Sequence, residues 1–310
     1  MPVDKLISYA QATLNSSAEL QGYISAVLSG GYVAAGVYRH DLTFGLRDGT
    51  TRTLAVVQKF TAESELRVLQ CVAEVAPSAA FPTLIDWGPV TAGGHAPATH
   101  WLITPFYEGT PLPVSGPMPI EIITSLARLH ALAGQHTRQI DWLHRVDTGF
   151  FRRTFENALA SLDGPAQRHG PDAAGYAEAR RRLTWAASQA VLYETLEGLP
   201  MTLTHGDVHG GNIIQDQRGR AVLIDWGNAR VAPAMLDVAN MVQLDSEEWQ
   251  VYLAARQVAG AALDEHTVRA EYCWATAMVN LQYLPWVVEH TPVQGAQTMV
   301  GRVAWAVEQL

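Results

Sequence analysis

Apolar and polar positions alternate through the first third of the chain. After a helical opening with Leu6, Ala10 and Leu14, the stretches "YISAVLSGG", "VYRHDLTFGL" and "RTLAVVQKF" alternate with period two and are separated by Gly-containing turns, which predicts consecutive antiparallel strands. The period then changes. "ESELRVLQCVAEVA" sets Leu66, Leu69, Val72 and Ala73 at helical spacing and stops before Pro77. "LIDWG" at residues 84–88 and the apolar "HWLITPFY" flank a Gly/Pro-rich turn, as two arms of a hairpin do. From Glu121 onward the pattern is mostly helical, beginning with Ile122, Ile123, Leu126 and Leu129 on one face. The exception is the island "MTLTHGDVHGGNIIQDQRGRAVLIDWGNARVAP", two short apolar strands around a "QRGR" turn, preceded by a polar loop.

This order predicts an α+β protein: a small β-rich lobe over residues 1–105, a connecting strand near residue 105, and a larger, mainly helical lobe over 106–310 with a hairpin set in it. The length of 310 residues suits such a pair. With 48% apolar and 16% charged residues the whole chain is expected to fold. The net charge of −9 argues against nucleic acid or anionic lipid as a partner. Six basic against eight acidic residues up to position 105 leave −2 there and −7 for the rest. Cys71 and Cys273 stand alone in apolar stretches, so neither a disulfide framework nor a thiolate metal site is expected. No signal core and no membrane-length apolar run is visible, and a cytoplasmic protein is expected.

"LIDWG" occurs twice, ending in Asp86-Trp87-Gly88 and in Asp225-Trp226-Gly227, and only the second copy has chemistry before it. In "HGDVHGGN" Asp207 and Asn212 lie in a Gly-rich loop ahead of one strand, and Asp225 ends the next, so a hairpin would bring loop and carboxylate together. One carboxylate can take a proton from an attacking hydroxyl, while an amide carbonyl and a second carboxylate offer the hard oxygens that Mg²⁺ prefers when it holds nucleotide phosphates. Either fragment alone reads as turn punctuation. Asp207-Val208-His209-Gly210 also spells the opening of a two-metal phosphatase site, but the further Gly-Asp and Gly-Asn-His ligand motifs of such enzymes are missing downstream.

His205-Gly206-Asp207, four residues, Asn212, then Ile224-Asp225-Trp226 resembles the signature of the aminoglycoside phosphotransferase and choline kinase-like families, which share the protein-kinase-like fold. The resemblance runs from about Leu28 to Ala239. It implies Asp207 as catalytic base, Asn212 and Asp225 as metal ligands, and His205 as a structural loop histidine. It implies further that Lys59 reaches the nucleotide phosphates and that Glu65 pairs with it, Glu63 being the near competitor. Ser29, Gly30 and Gly31 match the phosphate-covering turn, although the G-x-G-x-x-G of protein kinases is absent. "WLITPFYEG" resembles the hinge that holds the purine, with the Pro105 carbonyl as acceptor and the Tyr107 N–H as donor. Only eleven residues separate Asp225 from Asp237, too few for a protein-kinase activation segment, which points to a small-molecule kinase with Asp237 supporting the loop. Asp86 has no partner motif and is expected as a solvated or turn-bonding carboxylate.

The implied function is transfer of the terminal phosphoryl group of ATP or GTP, with Mg²⁺, to the hydroxyl of a small molecule, an aminoglycoside or other hydroxylated amine. A nucleotide-binding pseudokinase without turnover is the alternative. For the acceptor, "LDSEEW" offers Asp245, Glu248 and Trp249, two carboxylates beside an aromatic ring, as a surface for an amine. A solvated acidic helix start with Trp249 packed inward is the competing reading.

Overall fold

The computed structural model describes residues 3–28, 36–90, 98–114, 116–167, 172–262 and 264–310. These form two compact units, one from Met1–Val114 with Gly210–Asn228, the other from Ser115–His209 with Ala229–Leu310. A division by sequence order at residue 105 differs from them by residues 106–114 and by the hairpin segment 210–228.

In the first unit, helix α1 (Val3–Leu14) leads into strands β1 (Ala18–Val27), β2 (Gly36–Leu46) and β3 (Thr51–Thr61), then helix α2 (Glu63–Val75) and strands β4 (Asp86–Pro89) and β5 (His100–Pro105). The five strands form an antiparallel sheet in the order β1-β2-β3-β5-β4. Period-two alternation sends Leu42 and Phe44 of β2, Val56 of β3 and Ile103 of β5 into one cluster with Leu6 and Ala10 of α1. Each fully buried large side chain there contributes about 1.5–3 kcal/mol. On β3 the same alternation turns Lys59 to the opposite face from Val56. Strand β6 (Thr110–Pro111) follows β5.

Asp86 corrects an expectation. The alternation of β4 buries Asp86 and Gly88 and exposes Trp87. A carboxylate on the inward side needs a cation, and Lys5 of α1 supplies it at 2.5 Å while also lying 4.5 Å over the Trp87 ring. Asp86 is therefore a buried, paired group of the β-rich unit and not a solvated one.

The second unit begins with α3 (Ile120–Gly134), α4 (Thr148–Gln167), α5 (Ala173–Ala187), α6 (Ala190–Gly198) and the short strand β7 (Thr202–Thr204). The chain then returns residues 210–228 to the first unit as the antiparallel hairpin β8 (Ile213–Gln215) and β9 (Ala221–Leu223), with β6 paired on β8. Back in the second unit, β10 (Arg230–Ala232) pairs antiparallel with β7, followed by α7 (Glu247–Val258), α8 (Glu265–His290) and α9 (Val293–Gln309). Helix α8 is buried at every residue from Glu271 to Leu281, packed by α4, α6 and α9. A helix enclosed on all sides has no single apolar stripe, and the polar Glu271 within it is satisfied by Arg256 at 3.1 Å and by the Met235 N–H at 3.2 Å. Among the described residues no helix is long and apolar enough to cross a membrane.

Candidate active site

In the first unit the Lys59 ammonium donates to Glu65 Oε1 at 2.7 Å and to Asp225 Oδ1 at 2.6 Å. Lys59 lies near the end of β3, and Glu65 is the third residue of α2, so one tight connection brings them together. Glu65 is buried and its second oxygen accepts from the Thr61 hydroxyl at 2.5 Å, whereas Glu63 is exposed on the first turn. Burial works against the Lys59 charge, but the carboxylates of Glu65 and Asp225 outweigh it and raise its pKa above the ordinary lysine value.

The hairpin determines where Asp225 lies. Its register pairs Ile213 with Leu223, and the Ile224 N–H donates to the Asn212 carbonyl at 2.8 Å, so Asn212 stands beside the strand that ends in Asp225. Asp225 has φ +65°, a left-handed conformation that aspartate tolerates better than most residues and that costs about 1–2 kcal/mol. Its side chain is 41% exposed even while bound to Lys59. The Gly-rich loop before Asn212 is needed sterically: a Cβ on Gly210 would lie 1.9 Å from the Pro113 carbonyl oxygen. With their backbones joined through the Ile224 N–H bond to the Asn212 carbonyl, Asn212 offers an amide oxygen and Asp225 an accessible carboxylate, a donor set that fits Mg²⁺. Among the described residues no group of three His, Cys, Asp or Glu side chains converges as a metal cage would.

In the second unit, β7 delivers His205-Gly206-Asp207, with Gly206 at φ +80°, a conformation that suits glycine. Asp237 is fully buried beneath this loop. Its Oδ2 accepts from the His205 N–H at 2.6 Å and its Oδ1 from the Gly206 N–H at 2.8 Å. His130 Nε2 lies 3.1 Å from Oδ2, and Tyr252 Oη lies 2.7 Å from His130 Nδ1. Because a carboxylate only accepts, Nε2 carries the hydrogen of this contact, and the ring bridges Asp237 to Tyr252. Burial opposes the Asp237 charge, yet the His130 bond and the charges and N–H groups around it hold the carboxyl below the usual range. The loop-supporting role expected of Asp237 is thus what its contacts describe.

Asp207 accepts at Oδ1 from the Tyr283 hydroxyl of α8. The neighbouring Gln282 donates to the Gly206 carbonyl at 3.3 Å, and buried Arg230 donates to the same oxygen at 3.1 Å. Burial lowers the Arg230 pKa against the attraction of Asp237 and Asp207. Burial, and then the Asp207 charge and bond, push the Tyr283 phenol up, so it stays a donor. No local motif in the sequence marks Tyr283, Gln282, Arg230 or His130.

At the expected hinge, Phe106 N–H donates to Ala55 O at 3.0 Å, and strand alternation therefore turns the Pro105 carbonyl to the other side of β5, away from β3. The Tyr107 hydroxyl accepts from the Thr83 N–H at 2.9 Å, which holds that segment in place. Ser29, Gly30 and Gly31 lie outside the described residues.

Within the acidic patch the expectation for Trp249 is corrected. Trp249 is 2% exposed, with its ring edge-on to Tyr272, so it has no face to offer a ligand. Asp245 pairs with Arg269 at 2.6 Å. Glu248 lies in the first turn of α7, where its own backbone N–H and the Ser246 hydroxyl hold its carboxyl below the usual range. "DSEEW" is a helix start capped by Ser246, which accepts from the Trp249 N–H at 3.2 Å.

The sequence matches the phosphotransferase enzyme family over residues 33–272. No match was found among curated protein sequences. Among solved structures, a choline kinase from Cryptosporidium parvum Iowa II is similar at TM-score 0.55 and 11% identity, covering 100% of this chain and 96% of that one. A spectinomycin phosphotransferase in complex with ADP and spectinomycin reaches TM-score 0.54 at 14% identity, over 99% and 98% of the two chains. The macrolide 2′-phosphotransferase of Brachybacterium faecium gives 0.51 at 16% identity, over 97% and 98%. At these identities the likeness is one of fold, and it is the expected α+β, kinase-like one.

Proposed function

The chain belongs to the phosphotransferase enzyme family, and from that premise we propose that it transfers the terminal phosphoryl group of ATP or GTP to a hydroxyl of a small molecule. The observation that carries the reading is the Lys59 ammonium held between Glu65 and Asp225, with Asn212 beside Asp225 on the hairpin. An ammonium fixed by two carboxylates is oriented for phosphate oxygens, and as a point charge it suits them. Asn212 and Asp225 would hold Mg²⁺, which when bound neutralises the charge of the nucleotide phosphates. Lys59 orients those phosphates and stabilises the charge that spreads over them as the bond to the leaving oxygen lengthens. Asp207 accepts a hydrogen bond from the acceptor hydroxyl, aligns it, and takes its proton as the new O–P bond forms. Asp237 keeps the Asp207 loop in its geometry through two backbone N–H groups. The Pro105 carbonyl and the Tyr107 N–H hold the purine.

The acceptor is a hydroxylated small molecule, and a hydroxylated amine is the class we place first. Support comes from the net charge of −9 and from the choline kinase and spectinomycin phosphotransferase to which the fold is similar.

The test is a nucleotide-consumption screen with ATP and GTP against pooled amino alcohols, aminoglycosides, macrolides and neutral or anionic hydroxylated metabolites, read by product mass. Asp207→Asn is expected to lower turnover with the best acceptor by about 10²–10⁴-fold while nucleotide still binds. Nucleotide binding with no turnover on any pool would make the protein a binding module. Phosphorylation of neutral or anionic acceptors in preference to amines would remove the acceptor class.

A further inference from the structure

Tyr283 reaches Asp207 from 76 residues away, and its hydroxyl donates to Oδ1, one of the two oxygens the carboxylate can offer an incoming hydroxyl. The phenol is held on a packed helix. Its ring is half-buried on α8, and Gln282, the residue before it, is bonded to the Gly206 carbonyl at 3.3 Å, which ties the register of α8 to that of the loop. His209 Nε2 stands 4.0 Å from the same Asp207 oxygen, so that side of the carboxylate is walled by side chains of the chain itself.

A base placed to take a proton from an alcohol can take one from water equally well, and water is always present. In that side reaction the water oxygen bonds to the γ-phosphorus, the bond from that phosphorus to the bridging oxygen of the nucleoside diphosphate breaks, and Asp207 receives the water proton. The products are inorganic phosphate and the diphosphate. An acceptor alcohol brings further contacts that can displace the tyrosine hydroxyl, and water brings none. We infer that Tyr283 is a positioning residue that holds Asp207 Oδ1 until the acceptor arrives and so suppresses phosphoryl transfer to water. This rests on Asp207 being the base of the proposed phosphotransfer.

The experiment measures phosphate release by the full-length protein with Mg²⁺ and ATP or GTP, no acceptor added, alongside nucleotide affinity. Tyr283→Phe, which keeps the ring, is expected to raise acceptor-independent hydrolysis by about tenfold or more, the scale of one hydrogen bond to a charged group, with nucleotide affinity unchanged. Tyr283→Met serves the same purpose if the Phe variant loses its native circular dichroism. Adding Asp207→Asn to either should cancel the gain. Trp286→Ala, one turn further along α8 and 51% exposed, should stay at the wild-type rate. Hydrolysis in the Tyr283 variants at or below wild type, a gain that survives Asp207→Asn, or an equal rise in Trp286→Ala would each overturn the inference. If Asp207→Asn still slows transfer to an acceptor in that event, the phosphotransfer reading stands and only the role of Tyr283 falls.

Discussion

Replacing Asp237 by Asn tests the support beneath the Asp207 loop. The wild-type carboxylate, 0% exposed, serves three donors: His205 N–H and His130 Nε2–H on Oδ2, Gly206 N–H on Oδ1. An amide has one acceptor oxygen. Whichever way it is turned, its NH₂ group faces at least one of these buried donors, so one charge-assisted bond is lost, about 1.5–3 kcal/mol, and one donor is left unsatisfied, about 1–3 kcal/mol. Together these destabilise by about 3–5 kcal/mol, the usual scale for breaking a buried ionic group away from its partners. Urea unfolding followed by tryptophan fluorescence measures it. With a slope of about 3 kcal/mol/M the midpoint should fall by about 1–1.7 M at unchanged slope. The pH dependence has a definite sign. Because the folded carboxyl is held below its ordinary value near 3.9, its contribution is fully present above that value and is lost only as pH falls through the folded one. The gap between wild type and Asp237→Asn should therefore be constant from pH 7 down to about 4 and narrow only below that. A midpoint change worth under about 1 kcal/mol, or a gap that closes near neutrality, would refute the account.

Asp225→Ala should abolish Mg²⁺-dependent nucleotide binding in a calorimetric titration. Asp86→Ala should leave that titration intact but, because it strips Lys5 of its buried partner, lower unfolding stability by about 1.5 kcal/mol. Trp249→Ala should cost about 3–5 kcal/mol as a core deletion without changing the acceptor KM, and an effect on KM at full stability would restore that residue to the substrate surface.

The β-rich unit was legible because period-two alternation and Gly-containing turns are local signals: β2, β3 and β5 fall where the pattern puts them and α2 ends at Val75 ahead of Pro77, while β1 begins five residues earlier than expected, at Ala18, and is exposed from Gln21 to Val27. The choice of Glu65 over Glu63 was latent in the same pattern. Glu65 precedes Leu69 by four residues and Val72 by seven, on the buried stripe of α2, while Glu63 is off it. Asp86 was misread because the pentapeptide it shares with Asp225 was judged by its missing partner motif. Its alternation with Trp87 and Gly88 on an edge strand already implied an inward side chain, and the lysine that neutralises it sits on α1, where a single basic residue carries no signal.

The loop chemistry was legible for a related reason. Asn212 and Asp225 flank one hairpin, and its register converts their sequence spacing directly into position, while Asp207 belongs to the loop that follows β7. His130, Gln282 and Tyr283 arrive on α3 and α8, and no comparable rule applies to them. A histidine or tyrosine in an apolar helical run is ordinarily core, and whether it instead meets a carboxylate depends on the rotation and crossing of helices far apart in the chain. Helix α8 is the extreme case, since enclosure on all sides removes even the apolar stripe from which its rotation could be read. The residues that hold the candidate base therefore come from the part of the molecule where sequence is least informative, and Tyr283 is found only once α8 is packed. The same packing distinguishes the two acidic segments: Asp237 is drawn under the loop by three donors, while Asp245 and Glu248, eight and eleven residues later, are spent on an ion pair and a helix start.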